Sequence, residues 1–346
     1  MPNSTPPRKS NPNKAVTLTD VAAHVGVSAV AVSVVLNNSQ SKVRVSAATR
    51  ERILQAAEEL QYQPNSLARS LRLQRTNVIG FYGAHGRSLD PRFPFYGALS
   101  AGLQMGCRQH DKDLLLQSRL GSNSDTDIYM SLLSGQIDGL VLYAHHVTPL
   151  IERLIESRLP IVTVVHRLPG VPCVGIANEQ SGRLLAQHLL QRGYKKALSR
   201  NSSPDLPLTV ANRMRGFTEE ATVGGMEVSH TYCDEQWPSK EEQELLTGSN
   251  RPDVVVSYSD HSADGIIAFC RENGLSVPTD LGIAGFDNLP SYLRPSMRLT
   301  TVNCPWTEVA QRAVGLLVDL HEGKEVPEYV ELPVEIVEGE TTRPLQ

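Results

Sequence analysis

No run of apolar residues in this 346-residue chain approaches the ~20 that a membrane-spanning helix requires. Cysteine is scarce and poorly placed for cross-linking. Cys107, Cys173, Cys233, Cys270 and Cys304 are odd in number, widely scattered and without a CxxC pair. That excludes a disulfide framework or a thiolate zinc site as the organising principle, and it suits a reducing cytoplasm, with the thiols as small buried residues. Catalytic signatures are missing as well: there is no GxSxG elbow, no P-loop, no HExxH, and no GxGxxG opening a helix after a strand. His145-His146 follows a strand-like run, but neighbours on an extended chain point to opposite faces and make a poor metal site. The expectation is a protein that is not an enzyme, holds no cofactor or metal, and does not enter a membrane. Met1 to Lys14 is rich in Pro, Asn and Ser and lacks the apolar core of a signal peptide, so it reads as a disordered tail.

What is present suits a globular protein of two or three units: 40% apolar and 20% charged residues over a length beyond one typical domain. The net charge of −4 hides an asymmetry. Residues 1–76 carry 10 Lys and Arg against 4 Asp and Glu, whereas the remainder carries 23 against 33. A basic front end on an acidic body fits nucleic-acid binding by one end alone.

The basic end has a pattern. In Thr17-Leu18-Thr19-Asp20, Thr19 and Asp20 supply oxygen-bearing N-terminal residues for a short helix with apolar Val21, Ala22 and Val25. Gly26 breaks it by providing a positive φ, and Ser28 caps a second helix with Val32, Val35 and Leu36 on its inner side. Two short helices around such a turn form a helix-turn-helix. A third helix capped by Ser46 carries Ile53, Leu54, Ala57 and Leu60 at helical spacing. Next comes Tyr62-Gln63-Pro64-Asn65-Ser66-Leu67-Ala68-Arg69-Ser70-Leu71. From Asn77 onward, strand-length apolar runs (78–82, 113–116, 137–143, 161–165) alternate with helical stretches near 96–110, 124–134 and 149–157. A second set, with strands near 196–199, 253–258 and 281–286, starts at about Asn178. Such alternation predicts doubly wound parallel sheets.

The chain thereby resembles the lactose-repressor (LacI/GalR) family. The resemblance rests on Thr17-Leu18-x-Asp20-Val21-Ala22, Gly26-Val27-Ser28, Val32-Ser33, Leu36-Asn37, Thr49-Arg50 and Tyr62-x-Pro64-Asn65-x-x-Ala68-x-x-Leu71, and it extends over nearly the whole chain from Thr17. It implies an α-helical helix-turn-helix headpiece on an α/β periplasmic-binding-protein-like core of two doubly wound parallel-sheet lobes. The expected organisation is a tail over 1–14, a headpiece over 15–63, a hinge helix and linker over 64–76, and a core over 77–346. The first lobe would take about 77–177 and 302–331, the second 178–301 and 332–346. No leucine heptads follow Pro344, so a homodimer is expected.

The family's second helix reads the major groove from positions that are here Ala29, Val30 and Val34, all apolar. Arginine, frequent in relatives at the last of these, would offer guanine a bidentate donor; valine offers only a methyl surface. Contact with thymine methyls, transfer of specificity to Ser28, Arg44 and the hinge, and burial of Val34 in the headpiece core are all open on sequence alone. Thr17, Ser28, Ser33, Asn37, Ser46, Thr49 and Tyr62 match phosphate-contacting positions, which fix register on the duplex. Asn65, Ala68 and Leu71 share one face of a segment too short to be a stable isolated helix, flanked by Arg69 and Arg72. In the family it forms on operator DNA and wedges the leucine between base steps.

Ligands of open α/β sheets bind beyond the carboxyl ends of the strands. There the resemblance points to Arg213 in Arg213-x-x-Gly216-Phe217, to Asp287 after Gly285-Phe286, and to Ser259, where relatives carry asparagine before Asp260. Trp237 and Trp306, the two tryptophans, fall near positions lining the family's cleft from either side. The 83–96 loop, with His85, Arg87, Asp90, Arg92, Phe93 and Phe95, reads equally as a cap on the cleft or a dimer contact. The reading is a cytoplasmic transcriptional regulator, a repressor, that binds pseudo-palindromic double-stranded operator DNA under control of a small effector, a sugar. The alternative is a solute-binding protein or an enzyme on the same two-lobe core.

Overall fold

The structure, a computed structural model, describes residues 16–37, 43–63, 75–84, 93–117, 124–291 and 297–345. The expectations for Asn65, Ala68, Arg69, Leu71 and Arg72, for the side chain of Asn37, and for His85, Arg87, Asp90 and Arg92 lie outside the described residues. Internal contacts divide the chain into a unit ending at Thr76 and one starting at Asn77.

The first unit holds three helices, α1 (Leu18–Val25), α2 (Ala29–Asn37) and α3 (Ala47–Glu59). Thr17 starts α1 with a reciprocal capping box: its hydroxyl accepts from the Asp20 amide, and the Asp20 carboxylate accepts from the Thr17 amide at 2.8 Å. Gly26 ends the helix at φ 74°, where a Cβ would be strained. Val21, Val32 and Ile53, one from each helix, are wholly buried and meet at the centre. Each contributes about 1.5–3 kcal/mol by burial, a large share in so small a unit. Arg52 donates to the carbonyl of Val25 at 2.7 Å and ties α3 to the end of α1. One expected core residue is outside: Leu54 is half exposed, and Ala56 takes the inward place. With Ile53 as anchor, the i+3 position falls on the buried stripe and i+1 does not.

The second unit carries two six-stranded sheets among the described residues. Sheet one runs β11-β5-β4-β3-β1-β2 and is parallel throughout. Its strands are β1 (Val78–Gly83), β2 (Asp113–Leu116), β3 (Gly139–Tyr143), β4 (Ile161–Val164), β5 (Cys173–Ile176) and β11 (Tyr329–Leu332). Sheet two runs β12-β10-β9-β8-β6-β7. It comprises β6 (Lys196–Asn201), β7 (Glu227–Tyr232), β8 (Val254–Ser257), β9 (Gly282–Asp287), β10 (Thr300–Asn303) and β12 (Glu335–Val337), the last antiparallel to β10. Central strands bury both faces, as parallel sheets under two helix layers must. In β3, Val141 and Tyr143 enter one core while Leu140 and Leu142 enter the other. In β8, Val254 and Val256 face one layer and Val255 the opposite one.

The helices that matter for the cleft are α4 (Pro94–Gln109), α7 (Asn178–Gln191), α8 (Leu208–Val223), α9 (Lys240–Thr247), α10 (Asp260–Glu272) and α11 (Trp306–His321); α5 (Asp125–Leu132) and α6 (Pro149–Ile155) cover the far face of sheet one. Among these, α4 packs on α11 and α7 packs on α8, each pair at a glycine. A Cβ on Gly102 would strike the carbonyl of Thr307, and one on Gly182 the carbonyl of Arg213.

The chain crosses between the lobes three times: at Ala177, after Asn303, and between Leu332 and Glu335. The middle crossing is two residues later than the expected 301/302 boundary. β10 stays in register with β9 as far as Asn303, opposite Asp287, so the lobe changes at Cys304-Pro305. The crossings lie side by side: the Ala177 amide donates to Leu332, and Val334 packs against a core of each lobe. No described helix is by itself long and apolar enough to cross a membrane.

Candidate functional site

In the helical unit, Ser28 caps α2 by accepting from the Ala31 amide, and Ser46 caps α3 by accepting from Thr49. At the start of α2, Ser28, Ala29 and Val30 are exposed, Val30 by 53%. An apolar side chain that exposed is a surface for contact. Val34 is half-buried yet stands outside the central cluster, so the core does not claim it. Thr17, Arg44 and Ser46 are exposed and Thr49 is half-buried. Ser33 departs from expectation: it is buried, because the inner face of α2 takes Val32 and Ser33 together. Tyr62 packs its ring against the cluster, and that burial raises its phenol above the usual range.

Between the lobes of the second unit lies a cavity of about 480 Å³. The first lobe lines it with rings: Phe93, Phe95, Tyr96, Tyr143, His145, His166 and Trp306. Phe95 stands edge-on to Trp306 at 5.2 Å, and the His145 and His166 rings lie 4.4 Å apart. The second lobe lines it with hydrogen-bonding groups: Asn178, Ser202, Arg213, Asp234, Gln236, Ser259, Asp264 and Asp287 among them. Polar and ring contacts between described residues bridge the walls. Trp306 Nε1 donates to Asp287 Oδ1 at 3.0 Å, Thr209 Oγ1 meets His166 Nδ1 at 2.8 Å, and Phe93 lies edge-on to His261 at 5.7 Å.

Arg213 is held from every side. Its Nη1 donates to the carbonyl of Tyr258 at 3.0 Å and lies 3.8 Å from Asp287 Oδ1, its Nη2 donates to Asn178 Oδ1 at 3.3 Å, and the guanidinium lies over Phe286 at 4.7 Å. Its Nε–H is buried with no acceptor among the described residues. A buried unpaired donor costs ~1–3 kcal/mol, and an acceptor on a bound molecule removes that penalty. Asp287 ends β9 at φ 116°, a conformation L-residues seldom adopt and one found where side chains must be aimed. Burial pushes its carboxyl up to about 6, against the opposing pull of Arg213 and the Trp306 hydrogen bond. Asp260 is structural: its oxygens accept from the Leu289 amide at 2.9 Å and the Thr301 hydroxyl at 2.6 Å, fixing the turn that follows Asp287. Ser259 reaches the cavity while capping α10 through the Ser262 amide. Burial lowers the His261 imidazole, with Asp264 partly restoring it. Among the described residues the cavity is lined by the carboxylates of Asp234, Asp260, Asp264 and Asp287 and by the guanidinium of Arg213.

Of the residues expected here, Arg213, Asp287, Ser259, Trp306 and Phe95 line this one cavity. Trp237 does not. Its ring packs edge-on against Phe269 at 5.8 Å, on the far side of a segment whose neighbour Gln236 takes the cavity-facing place. His145 lines the cavity and His146 is exposed, as expected of neighbours in an extended run. Sequence reasoning missed Tyr143, His166, Asn178, Ser202, Asp234 and Gln236. Tyr143, His166 and Ser202 lie at or just beyond the ends of β3, β4 and β6, strands the sequence announced, so the strand-end rule would have found them; Asn178, Asp234 and Gln236 follow β5 and β7, which it did not announce.

Residues 17–65 match the model of the lacI family of bacterial regulatory proteins, and residues 186–342 match the periplasmic binding protein-like domain. Catabolite control protein A of Priestia megaterium is 29% identical over 314 residues, covering 87% of this chain and 91% of that protein. The HTH-type transcriptional regulator GalR of Escherichia coli (strain K12) is 27% identical over 90% of this chain and 91% of its own length. Among solved structures, the lac repressor dimer bound to operator and the anti-inducer ONPF superposes with a TM-score of 0.78, covering 96% of this chain and all of that one at 22% identity.

Proposed function

This chain belongs to the lacI family of bacterial regulatory proteins, a DNA-binding transcriptional regulator with a periplasmic-binding-protein-like core, and we propose that it is a cytoplasmic, dimeric repressor whose effector is an uncharged sugar held between the lobes. The observation that carries the effector reading is the buried Nε–H of Arg213, without an acceptor among the described residues, in a cavity whose described lining holds more carboxylates than cations. That donor calls for a neutral acceptor such as a hydroxyl or ring oxygen. Among the described lining residues, a phosphate or carboxylate would meet Asp234, Asp264 and Asp287, with the Arg213 guanidinium already beside Asp287. Hydroxyls serve as donors to Asp287 and Asp234, and the apolar face of a pyranose lies on the rings of Phe95 and Trp306.

In the dimer, two headpieces sit on a pseudo-palindromic operator, with the second helix of each in the major groove. Ser28, Ala29, Val30 and Val34 face base edges, the apolar three favouring thymine methyls. Thr17, Arg44, Ser46 and Thr49 hold phosphates and fix register, with Asn37, Tyr62 and the segment Asn65, Ala68, Arg69 and Leu71 completing the contact. Ligand alters operator affinity only through its different affinity for the two closures of the lobes.

Thermal unfolding of the full chain against neutral mono- and disaccharides, sugar phosphates and purines tests the effector. Ligand binding to the folded core raises the melting temperature, and a neutral sugar is expected to do so and to shift operator affinity. A shift given by sugar phosphates or purines alone overturns the neutral reading. On the DNA side, selected operator sites should gain guanine at one half-site position in Val34→Arg; an unchanged site would return Val34 to a packing role.

A further inference from the structure

The second-lobe wall is a loop hung from a buried arginine. Between β7 and α9 the chain runs 233–239 without regular structure, and Asp234 and Gln236 on it face the cavity. Arg200 on β6 is wholly buried, and its Nη2 donates to the carbonyls of Glu235 at 2.8 Å and Trp237 at 3.2 Å. Those carbonyls belong to residues alternating with Asp234 and Gln236. Pulling them inward turns the two polar side chains toward the cavity and sends the Trp237 ring the other way. Nη1 bonds Ser262, the neighbour of cavity-lining His261. Nε lies 3.1 Å from each oxygen of Glu242, itself 1% exposed. Glu242 is anchored in turn by the Thr231 hydroxyl at 2.8 Å and the Ser239 amide at 2.9 Å. The other side of the loop is closed by Gln236 Nε2, which donates to the His261 carbonyl at 3.0 Å, and by Gly265, where any Cβ would strike the carbonyl of Gln236.

A buried ion pair contributes little net stability over an apolar replacement, so stability alone gives a weak account of so complete a set of partners. We propose that Arg200, with Glu242 as its counter-ion, is a positioning residue that presets the 234–237 wall and so determines ligand affinity without touching ligand. The ligand half of this rests on the cavity being the effector site; the wall half does not. Lysine cannot replace arginine here, because one ammonium does not span Ser262 and two carbonyls at once.

The test uses the full chain with Trp306→Phe, which leaves Trp237 as the sole tryptophan, excited selectively over the tyrosines. Arg200→Lys in that background is expected to retain a cooperative melt while acrylamide quenching of Trp237, already 36% exposed, rises and its emission anisotropy falls as the 234–237 wall loosens. With Trp306 intact, Arg200→Lys should weaken at least tenfold whichever of D-glucose, D-galactose or cellobiose raises the wild-type melting temperature. If no neutral mono- or disaccharide does so in wild type, the effector reading fails while the fluorescence arm still judges the wall. Unchanged quenching in a folded Arg200→Lys overturns the proposal. Should that variant not fold, the paired replacement Arg200→Met with Glu242→Leu removes both charges together and takes its place in the same quenching measurement. Loss of folding in both would assign the pair to lobe stability and overturn the positioning role.

Discussion

The two lobes share an architecture and differ in what they show the cavity. Each builds a six-stranded sheet with the same spatial order, and each hangs its wall from a helix pair drawn together at a glycine. In the first lobe Gly102 admits the carbonyl of Thr307, next to Trp306; in the second Gly182 admits the carbonyl of Arg213 itself. The device is the same, but one wall is aromatic and the other is made of amides, carboxylates and a guanidinium. Scaffold geometry and binding chemistry are thus separable in this fold: packing repeats, and the residues after each strand decide what is recognised.

Overpacking the two crossings should break the symmetry of device most severely. Gly102→Val and Gly182→Val each push a side chain into a backbone carbonyl, and each is expected to lose about 3 kcal/mol, seen as a drop of several degrees in melting temperature. A silent substitution at either would show that the two crossings are not equivalent. Removing one group from each wall sharpens the chemical contrast. Arg213→Ala should weaken the sugar by roughly 30-fold, as loss of charge-assisted hydrogen bonds does. Phe95→Ala should weaken it only ~5-fold, the scale of an aromatic contact. The reverse order in a calorimetric titration would make the aromatic wall dominant.

The smallest effect concerns protons. Asp287 has a folded pKa raised from 3.8 to about 6, so the stability linked to its protonated form is complete below pH 3.8 and is lost as pH rises through about 6. Asp287→Asn lacks that loss. The melting temperature of the variant minus that of wild type should therefore grow between pH 4 and pH 7 and then level off. His188 bends both curves the other way: burial and Arg192 lower it to about 4, so its stabilisation is present above pH 6.5 and fades toward pH 4. It is common to both proteins and cancels in the difference. A flat difference would mean that Asp287 is ionised throughout.

How much of this was legible in the residues follows from the range of the interactions. The headpiece signals are local: the turn at Gly26 and the caps at Ser28 and Ser46 each span three or four residues, and the structure has them where the sequence put them, whereas the first helix, expected to start at Thr19-Asp20, is capped two residues earlier by Thr17. Apolar runs announced the central strands 78–83, 139–143 and 254–257, because burial on both faces leaves an uninterrupted hydrophobic string. β7 had no such string; at the edge of its sheet, Glu227–Tyr232 is mostly exposed and reads as polar. Trp237 was misplaced for a related reason. Its orientation is set by Arg200, 37 residues away, and no pattern near Trp237 records that bond. Asn178 fell between motifs because its role appears only when Gly182 brings α7 against α8 and Arg213 arrives beside it.

The three adjacent crossings between the lobes have a mechanical meaning. Two bodies joined by a single strap can swing, twist and slide; joined by three straps set side by side, they keep one easy motion, a rotation about the line through the straps. The chain at Ala177, Cys304-Pro305 and Val334 is such a joint. A ligand seated on one side of it has a single coordinate to push along, and whatever is attached to the first lobe receives that push as an angle.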